Sequence, residues 1–380
     1  MKYVIVRCED LVREHPDVAS LLEGAKTAHL QHLSQAGAAG LVRPRTPDRI
    51  VDRFQLHRGL FGLSLQDPAA APAHCYAISA NVNPGDGATA WCCELVTHHD
   101  GRIIDPTAGR IPTKESRVLL QALNEQLGSD NRRWETGDAS HHLLIVRDPA
   151  LQSNSHTAVR SPDLLVGQPW NDHLPKGPVR EPLQQLIEQA SKILEGHAVN
   201  RVRVDLGENP ANMVWFWGAA GGGAGKSFRE RTGLVGSVIS TSFPMRGFAQ
   251  ALGLRWHEGP KTFEEAAIQR LMKTATGLLA QHDVVYVHLQ VDSTDPVERL
   301  CAMERIDQHL LKPLTETLSA AGSWRLLTVI DDRGGLAPFV AVGTGVPNQP
   351  AAKLSAEALV ETRLAFADGA ALYTWFTADA

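Results

Sequence analysis

The sequence predicts an α/β protein built on a mostly parallel sheet with helices on both faces, interrupted by an inserted, smaller α+β domain. The first observation is the run Val284 to Leu289, where only His288 interrupts apolar and aromatic side chains, as in a strand buried on both faces. The second is the alternation of strands and helices towards both ends of the chain. The third is a middle stretch of short strands and turns that lacks this alternation.

The N-terminal part predicts one strand and two helices. Tyr3 to Val6 is the strand, and Val18 to Gln35 has the apolar spacing of a helix that ends before Gly37, a suitable cap. Ile50 to Leu63 predicts a short second helix. Two prolines among the small residues of Gln66 to Ala73 indicate a linker, so we expect a domain boundary there.

The middle part predicts short strands at Ala90 to Val96 and His142 to Val146, a hairpin turn at His98 to Arg102 and an amphipathic helix at Lys114 to Leu127. The polar stretch Ser153 to Lys176 is a second linker. We therefore expect residues 1–74 and 176–380 to form one discontinuous core domain. Residues 75–175 form the inserted lobe in this prediction.

The C-terminal part returns to alternating strands and helices, which we expect to complete the core sheet. The predicted strands are residues 213–217, 235–240, 284–289 and 326–330. The predicted helices are residues 183–194, 245–252, 263–280 and 297–320.

Composition excludes several classes of protein. The chain is 43% hydrophobic and 21% charged with a net charge of -5, and no run of basic residues indicates a nucleic-acid groove. No apolar run is long enough to span a membrane, and the N-terminus enters a strand directly, so we expect a cytoplasmic protein. Five cysteines without CxxC spacing indicate reduced thiols and no zinc ribbon. The partner, a small molecule or another protein, stays open, as does homo-oligomer formation.

Carboxylates follow three of the predicted strands. Asp10, Asp292 and the pair Asp331 and Asp332 stand where the carboxyl ends of parallel strands would bring them to one edge. Oxygen ligands gathered in this way suit Mg²⁺ or Mn²⁺. The commoner alternative is that each acid caps the following helix.

A glycine-rich run, AAGGGAGKS at Ala219 to Ser227, offers a second candidate site. Backbone N–H groups of such a loop, followed by Lys226, could hold the phosphates of a nucleotide. The phosphate-binding loop motif needs Gly where the chain has Ala220, and Gly233 interrupts the following helix early. A flexible glycine lid is therefore the favoured interpretation. No histidine follows Asp292 closely, and we expect the carboxylate edge to lack histidine partners.

Several segments together resemble the archaeal-type, cofactor-independent phosphoglycerate mutases of the alkaline phosphatase superfamily, over essentially the whole chain. The specific ones are ANMVWFWG and DPTAGRIPT, alongside MKYVIVRCED, VGSVIST and DVVYVHLQVDSTD. The resemblance implies an alkaline-phosphatase-like core with an inserted substrate-binding domain and two metal ions, typically manganese. It also implies a serine that carries the phosphoryl group between two hydroxyls of phosphoglycerate. Asp10, Asp292 and Asp331 match metal ligands of that family.

The chain departs from this family at the residues that carry the reaction. The segment matching the family's nucleophile, Arg49 to Leu63, contains no Ser or Thr. Pro296 and Asp332 stand near or at positions of family histidines, and the final histidine expected after Gly335 is absent. The family's substrate-clamping arginines are missing as well, at the positions of residues 73–75, 91–92 and 141.

These departures predict a degenerate family member without mutase activity that binds a ligand or partner, or performs a changed reaction. We expect no organic cofactor and either no metal or one Mg²⁺ or Mn²⁺, rather than a binuclear site. The metal candidates are Asp10, Asp292, Asp331 and Asp332. The catalytic candidates are His57, Arg58 and Arg53, and the substrate contacts are Lys226, His141 and Arg110. The alternatives are an active metal-dependent mutase or related phosphatase, and a nucleotide-binding enzyme that uses Lys226.

Overall fold

The computed structural model describes residues 1–9, 24–43, 54–64, 67, 70–152, 159–221, 225–291, 293, 295–331 and 336–378, with only the backbone of residue 331. The described strands are β1 (Lys2–Glu9), β2 (Ala38–Val42), β3 (Thr89–His99), β4 (Arg102–Asp105), β5 (Arg132–Asp138), β6 (His141–Val146), β7 (Met213–Gly221), β8 (Gly236–Ser240), β9 (Arg255–Glu258), β10 (Val284–Gln290), β11 (Trp324–Asp331), β12 (Ala337–Gly343) and β13 (Ala365–Phe366).

The described helices are α1 (Ala28–Ala36), α2 (Gln55–Gly59), α3 (Pro72–Ala80), α4 (Thr113–Leu127), α5 (Arg180–Glu195), α6 (Ala198–Asp205), α7 (Phe228–Thr232), α8 (Phe243–Ala251), α9 (Glu265–Leu279), α10 (Pro296–Ile306), α11 (Lys312–Ser319), α12 (Ala356–Glu361) and α13 (Gly369–Thr377). The predicted helix 297–320 is therefore α10 and α11 joined by a π-helical turn, Asp307–Leu311. No helix in the described ranges is long and apolar enough to cross a bilayer.

The larger sheet contains eight of the described strands in the order β13-β2-β12-β11-β1-β10-β8-β9. Strands β11, β1, β10, β8 and β9 run parallel to one another, and β12 is antiparallel to both of its neighbours. Helices cover both faces. The predicted α/β class with a mostly parallel sheet is confirmed.

Alternation along β1 and β10 separates the two faces of this sheet. Tyr3, Ile5 and Tyr286 belong to one apolar core, whereas Val4 and Val287 belong to the other. Because side chains alternate in a strand, Arg7, Glu9 and His288 continue the first of these faces towards the carboxyl edge. This is the face that packs against the second lobe.

The second lobe is built on a sheet of five strands, in the order β4-β3-β6-β5 with β7 also paired to β3. Helices α3 and α8 lie between it and the larger sheet. These two helices pack so closely that a Cβ at Gly247 would overlap the carbonyl oxygen of Cys75. The predicted hairpin is present, with Asp100 and Gly101 at positive φ in the turn between β3 and β4.

One strand lies in a different sheet from the one expected. The sequence predicts residues 213–217 as a strand of the core sheet, but β7 pairs antiparallel with β3, from Met213 opposite Val96 to Gly221 opposite Thr89. The reason is that β3 is buried from Thr89 to Thr97, so its backbone N–H and C=O groups need partners along both edges, which β6 and β7 supply. The second sheet therefore reaches past the predicted boundary at residue 175.

Candidate functional site

A cavity of about 840 Å³ lies between the two lobes, at the carboxyl edge of the larger sheet. The sheet contributes Glu9 from the end of β1, and His288 and Gln290 from the end of β10. The second lobe contributes Asp138 and His141. Open α/β sheets bind ligands at this edge, which makes the cavity the candidate site.

Four polar side chains, Arg7, Glu9, His57 and His288, form a cluster on the sheet wall of the cavity, here called the sheet-side cluster. Glu9 Oε2 lies 2.8 Å from His288 Nε2, 3.8 Å from His57 Nε2 and 3.6 Å from an Arg7 guanidinium nitrogen. Arg7, His57 and His288 are buried. A carboxylate that faces three cationic or polar groups in this way is the anionic centre of the cluster.

Hydroxyl groups orient both histidines from behind. His57 Nδ1 hydrogen-bonds the Tyr286 hydroxyl at 2.8 Å, and His288 Nδ1 hydrogen-bonds the Ser240 hydroxyl at 2.9 Å. The two imidazole rings are nearly perpendicular, with centroids 4.7 Å apart. Both Nε2 atoms are thereby directed at Glu9.

Burial and neighbouring charge set the protonation of this cluster. Burial alone would raise the pKa of Glu9, but Arg7 and the hydrogen bonds of His288 and His57 outweigh it and hold that pKa well below its ordinary value. Burial, reinforced by the positive charge of Arg7, holds the pKa of His57 well below its ordinary value. Glu9 is therefore ionised and His57 neutral at neutral pH.

The residues of this cluster fit one divalent ion. Among the described residues, Glu9, His57 and His288 form the one group whose potential ligand atoms converge, all within 4.8 Å of one another. A carboxylate and two imidazoles suit Mn²⁺ or Zn²⁺, and hydrogen bonds behind the histidines are the usual support for such ligands. Arg7 opposes a dication at the same place, so the set fits one weakly held ion.

The expectation that the carboxylate edge lacks histidines is wrong for Glu9. Along the chain His288 is far from any N-terminal acid, but β1 and β10 are neighbours and their register places Arg7 beside His288. His57 arrives from α2. Spacing along one segment carries no information about contacts across strands, and the single polar residue in the β10 run was the available signal.

A second cluster, here called the lobe-side cluster, consists of Glu94, His141, Tyr76 and Trp217, of which His141 lines the opposite wall of the cavity and the other three are buried behind it. Glu94 is fully buried on β3. Its carboxylate accepts hydrogen bonds from the Tyr76 hydroxyl at 2.7 Å and from Trp217 Nε1 at 3.2 Å, and it lies 2.6 Å from His141 Nδ1. The lone acid in the apolar strand Ala90 to Val96 was its signal in the sequence, because an acid in such a place needs partners.

The catalytic candidates His57 and Arg58 are both buried on α2. Arg58 Nε donates a hydrogen bond to the Ala70 carbonyl at 2.9 Å. The remaining candidates fall outside the described residues, namely Arg53, Asp10, Asp292 and Asp332, with only the backbone of Asp331 described. Their predicted roles stay predictions.

Two of the three predicted substrate contacts line the cavity. His141 and Arg110 do so, and Lys226 lies outside the lining. Lys226 is exposed, and its carbonyl accepts a hydrogen bond from Arg231 Nε at 2.7 Å. The following helix, α7, has five residues and ends at Gly233 with φ +75°, as the early glycine predicted.

Comparison with known proteins gives concordant results. A family model described as 2,3-bisphosphoglycerate-independent phosphoglycerate mutase matches residues 55–200. A protein of that name from Methanosarcina barkeri is 27% identical over 82% of this chain and 80% of its own. Another, from Methanothrix thermoacetophila, is 26% identical over 91% of this chain and 92% of its own.

Solved structures show the same fold. A cofactor-independent phosphoglycerate mutase from Thermoplasma acidophilum is similar with a TM-score of 0.59 at 21% identity, covering 99% of this chain and 98% of that one. A protein from Pyrococcus horikoshii is similar with a TM-score of 0.68 at 16% identity, covering 99% and 96%.

Proposed function

Since this chain belongs to the 2,3-bisphosphoglycerate-independent phosphoglycerate mutase family, we propose that it binds a small anionic molecule between its lobes without carrying out the family's phosphoserine-mediated reaction. The observation that carries the proposal is the loss of the hydroxyl residue from the segment that matches the family's nucleophile. Residues 49–63 hold no Ser or Thr, and the described part of that segment directs His57 towards Glu9. The family's covalent step needs a serine hydroxyl, and His57, held between Glu9 and Tyr286, does not supply one.

The sheet-side cluster supports at most one metal ion, which is consistent with loss of a binuclear centre. Glu9, His57 and His288 would hold that ion, and it would polarise an oxygen of the bound anion. The chain's own groups act without it: Arg7 neutralises Glu9, and the Tyr286 and Ser240 hydroxyls fix the two rings. The wall is therefore ordered before a ligand arrives.

The charges around the cavity favour an anionic ligand. Arg110, Lys261 and Arg305 are cations of the lining. Two of its acids already accept hydrogen bonds from the protein, Asp138 from Thr113 and Glu298 from Ser293. Asp163 is the fourth acid of the lining, and Glu9 faces Arg7, so the three cations and the histidines are the groups of the lining that can donate to a ligand. Phosphate and carboxylate groups are the ligands that such donors bind.

The test is an assay of the interconversion of 2-phosphoglycerate and 3-phosphoglycerate with added Mn²⁺, alongside calorimetric titration with each compound. The Methanosarcina barkeri relative serves as the active control. We expect binding without interconversion. The alternative function, an active metal-dependent mutase, is favoured by the names of the relatives, and turnover comparable to the control would establish it in place of the proposal.

A further inference from the structure

We propose that helix α6 pairs with the same helix of a second copy of this chain, so that the chain forms a weak homodimer about a twofold axis. Helix α6 packs beside α4 in the second lobe and contributes no residue to the lining of the cavity. This pairing does not depend on the proposed anion-binding function. The features that support it are the distribution of apolar side chains around α6 and the charges beside them.

The side of α6 that faces the lobe is mainly polar. Its buried residues are Asn200 and Arg203. Asn200 Nδ2 donates a hydrogen bond to the Ala211 carbonyl at 2.8 Å, and Arg203 forms an ion pair with Glu115 at 2.8 Å. The partly buried Val199 adds an apolar contact with the core. Hydrogen bonds and an ion pair therefore do most of the work of holding this side of the helix to the lobe.

The side of α6 that faces solvent carries large apolar residues. Val202 is 56% exposed and Leu206, which keeps helical φ and ψ directly after α6, is 70% exposed. Spacings of three, four, seven and eight residues place one set of exposed side chains on the same face, here called the α6 face: Ala198, Arg201, Val202, Asp205 and Leu206. A surface helix usually turns its apolar residues inwards. Since α6 does the reverse, the chain's own core gives no reason for the apolar residues of this face.

A neighbouring helix adds to the exposed apolar surface. Glu115 and Val118 are three residues apart on α4 and share one side of it. Because Glu115 contacts Arg203, this is the side of α4 next to α6. Val118 is 45% exposed. Exposed apolar residues on two adjacent helices indicate an interaction surface, whereas single scattered ones do not.

The charges of the α6 face identify the partner as a second copy. Arg201 and Asp205 are one turn apart beside the apolar pair, and the ion pairs printed for this helix use Arg203, so neither has one among the described residues. When two α6 helices pack antiparallel, Arg201 of each copy lies opposite Asp205 of the other. Val202 then lies opposite Leu206. The face is thus complementary to itself in charge and in apolar contact, as a twofold interface requires.

The experiment is sedimentation velocity of the purified full chain over a wide range of concentration. The α6 face is small compared with the about 20–30 residues per side of a stable interface, so we expect a dissociation constant on the order of 100 µM. Leu206→Glu places a charge in the apolar contact and should raise that constant about tenfold or more. Val204→Glu is the matched control. Val204 is 58% exposed but lies about half a turn away from Val202, so this variant should dimerise like the wild type.

Exchange of charges tests the antiparallel pairing itself. Arg201→Glu and Asp205→Arg each place like charges opposite one another in a dimer, so each variant alone should dimerise about tenfold more weakly. In an equimolar mixture, a dimer with one chain of each variant has opposite charges at both positions, and dimerisation should return. A change in folding could not produce this recovery.

Three results would overturn the inference. The first is a wild-type chain that stays monomeric up to about ten times the expected dissociation constant, which would leave the face to a different partner. The second is a dimer of unchanged affinity in Leu206→Glu, which would place the interface elsewhere. The third is a mixture of Arg201→Glu and Asp205→Arg that dimerises no better than either variant alone.

Discussion

The most quantitative prediction concerns His142, the buried neighbour of His141. Burial lowers the pKa of His142 from 6.5 to about 3. Its Nδ1 accepts a hydrogen bond from the Gly137 N–H at 3.2 Å, so a proton added there would also break that bond. The unfolded chain binds this proton near pH 6.5 and the folded chain does not. The stability that the neutral ring contributes is therefore complete above about pH 6.5 and is lost as the pH falls towards about 3.

The magnitude follows from the size of the shift. At about pH 5 the solution is about 1.5 pH units below the pKa of His142 in the unfolded chain. Protonation of the unfolded chain at this one residue therefore lowers the free energy of unfolding by about 2 kcal/mol. The substitution His142→Asn retains an acceptor for Gly137 but cannot ionise. Its free energy of unfolding should therefore fall by about 2 kcal/mol less than that of the wild type between about pH 8 and about pH 5.

Urea unfolding at several pH values, followed by tryptophan fluorescence, measures this difference. The absolute stability of His142→Asn will be lower because the side chain is smaller. The comparison is therefore between the slopes of the free energy of unfolding against pH in the two proteins. His99→Asn, at an exposed position of the same lobe, should run parallel to the wild type. If His142→Asn loses stability as steeply as the wild type, burial does not keep His142 neutral and the reasoning is wrong.

Three further outcomes are expected. Glu94→Leu should destabilise the protein by about 3 kcal/mol or more in urea unfolding, because buried donors lose their acceptor, whereas Glu94→Gln should cost less. Gly247→Ala should lower the melting temperature through the clash with Cys75, whereas Gly277→Ala, where a Cβ meets nothing within 4 Å, should raise stability by about 0.5–1 kcal/mol; equal effects would contradict close helix packing. Mass spectrometry of metal content should find at most one Mn²⁺ or Zn²⁺ per chain and none in Glu9→Gln, whereas two retained ions would contradict the account of the cluster.

Local sequence was sufficient for most strands and helices. The β10 run is continuous and apolar, so its burial on both faces could be predicted without a partner. The partner of β7 could not, because Met213 to Trp217 specifies a strand and contains nothing that selects between two sheets. Pairing depends on β3, more than a hundred residues earlier in the chain.

The candidate site was harder to predict because both clusters are assembled from distant segments. Glu9 and His288 come together through strand register, and Glu94 and His141 through the pairing of β3 with β6. The expected carboxylates followed strand ends within single segments, where spacing is visible. Contacts between strands depend on the complete fold, so His57 could be selected as a candidate while its partner Glu9 could not.

The most direct test of the central claim is a search for a covalent phosphoenzyme. The chain and the Methanosarcina barkeri relative are each incubated with 3-phosphoglycerate and Mn²⁺, quenched in denaturant at neutral and at alkaline pH, and compared by intact mass. The absence of Ser and Thr from residues 49–63 predicts that this chain keeps its unmodified mass while the relative gains a phosphoryl group. An added phosphoryl group on this chain, bound to any side chain and formed during turnover, would contradict the account.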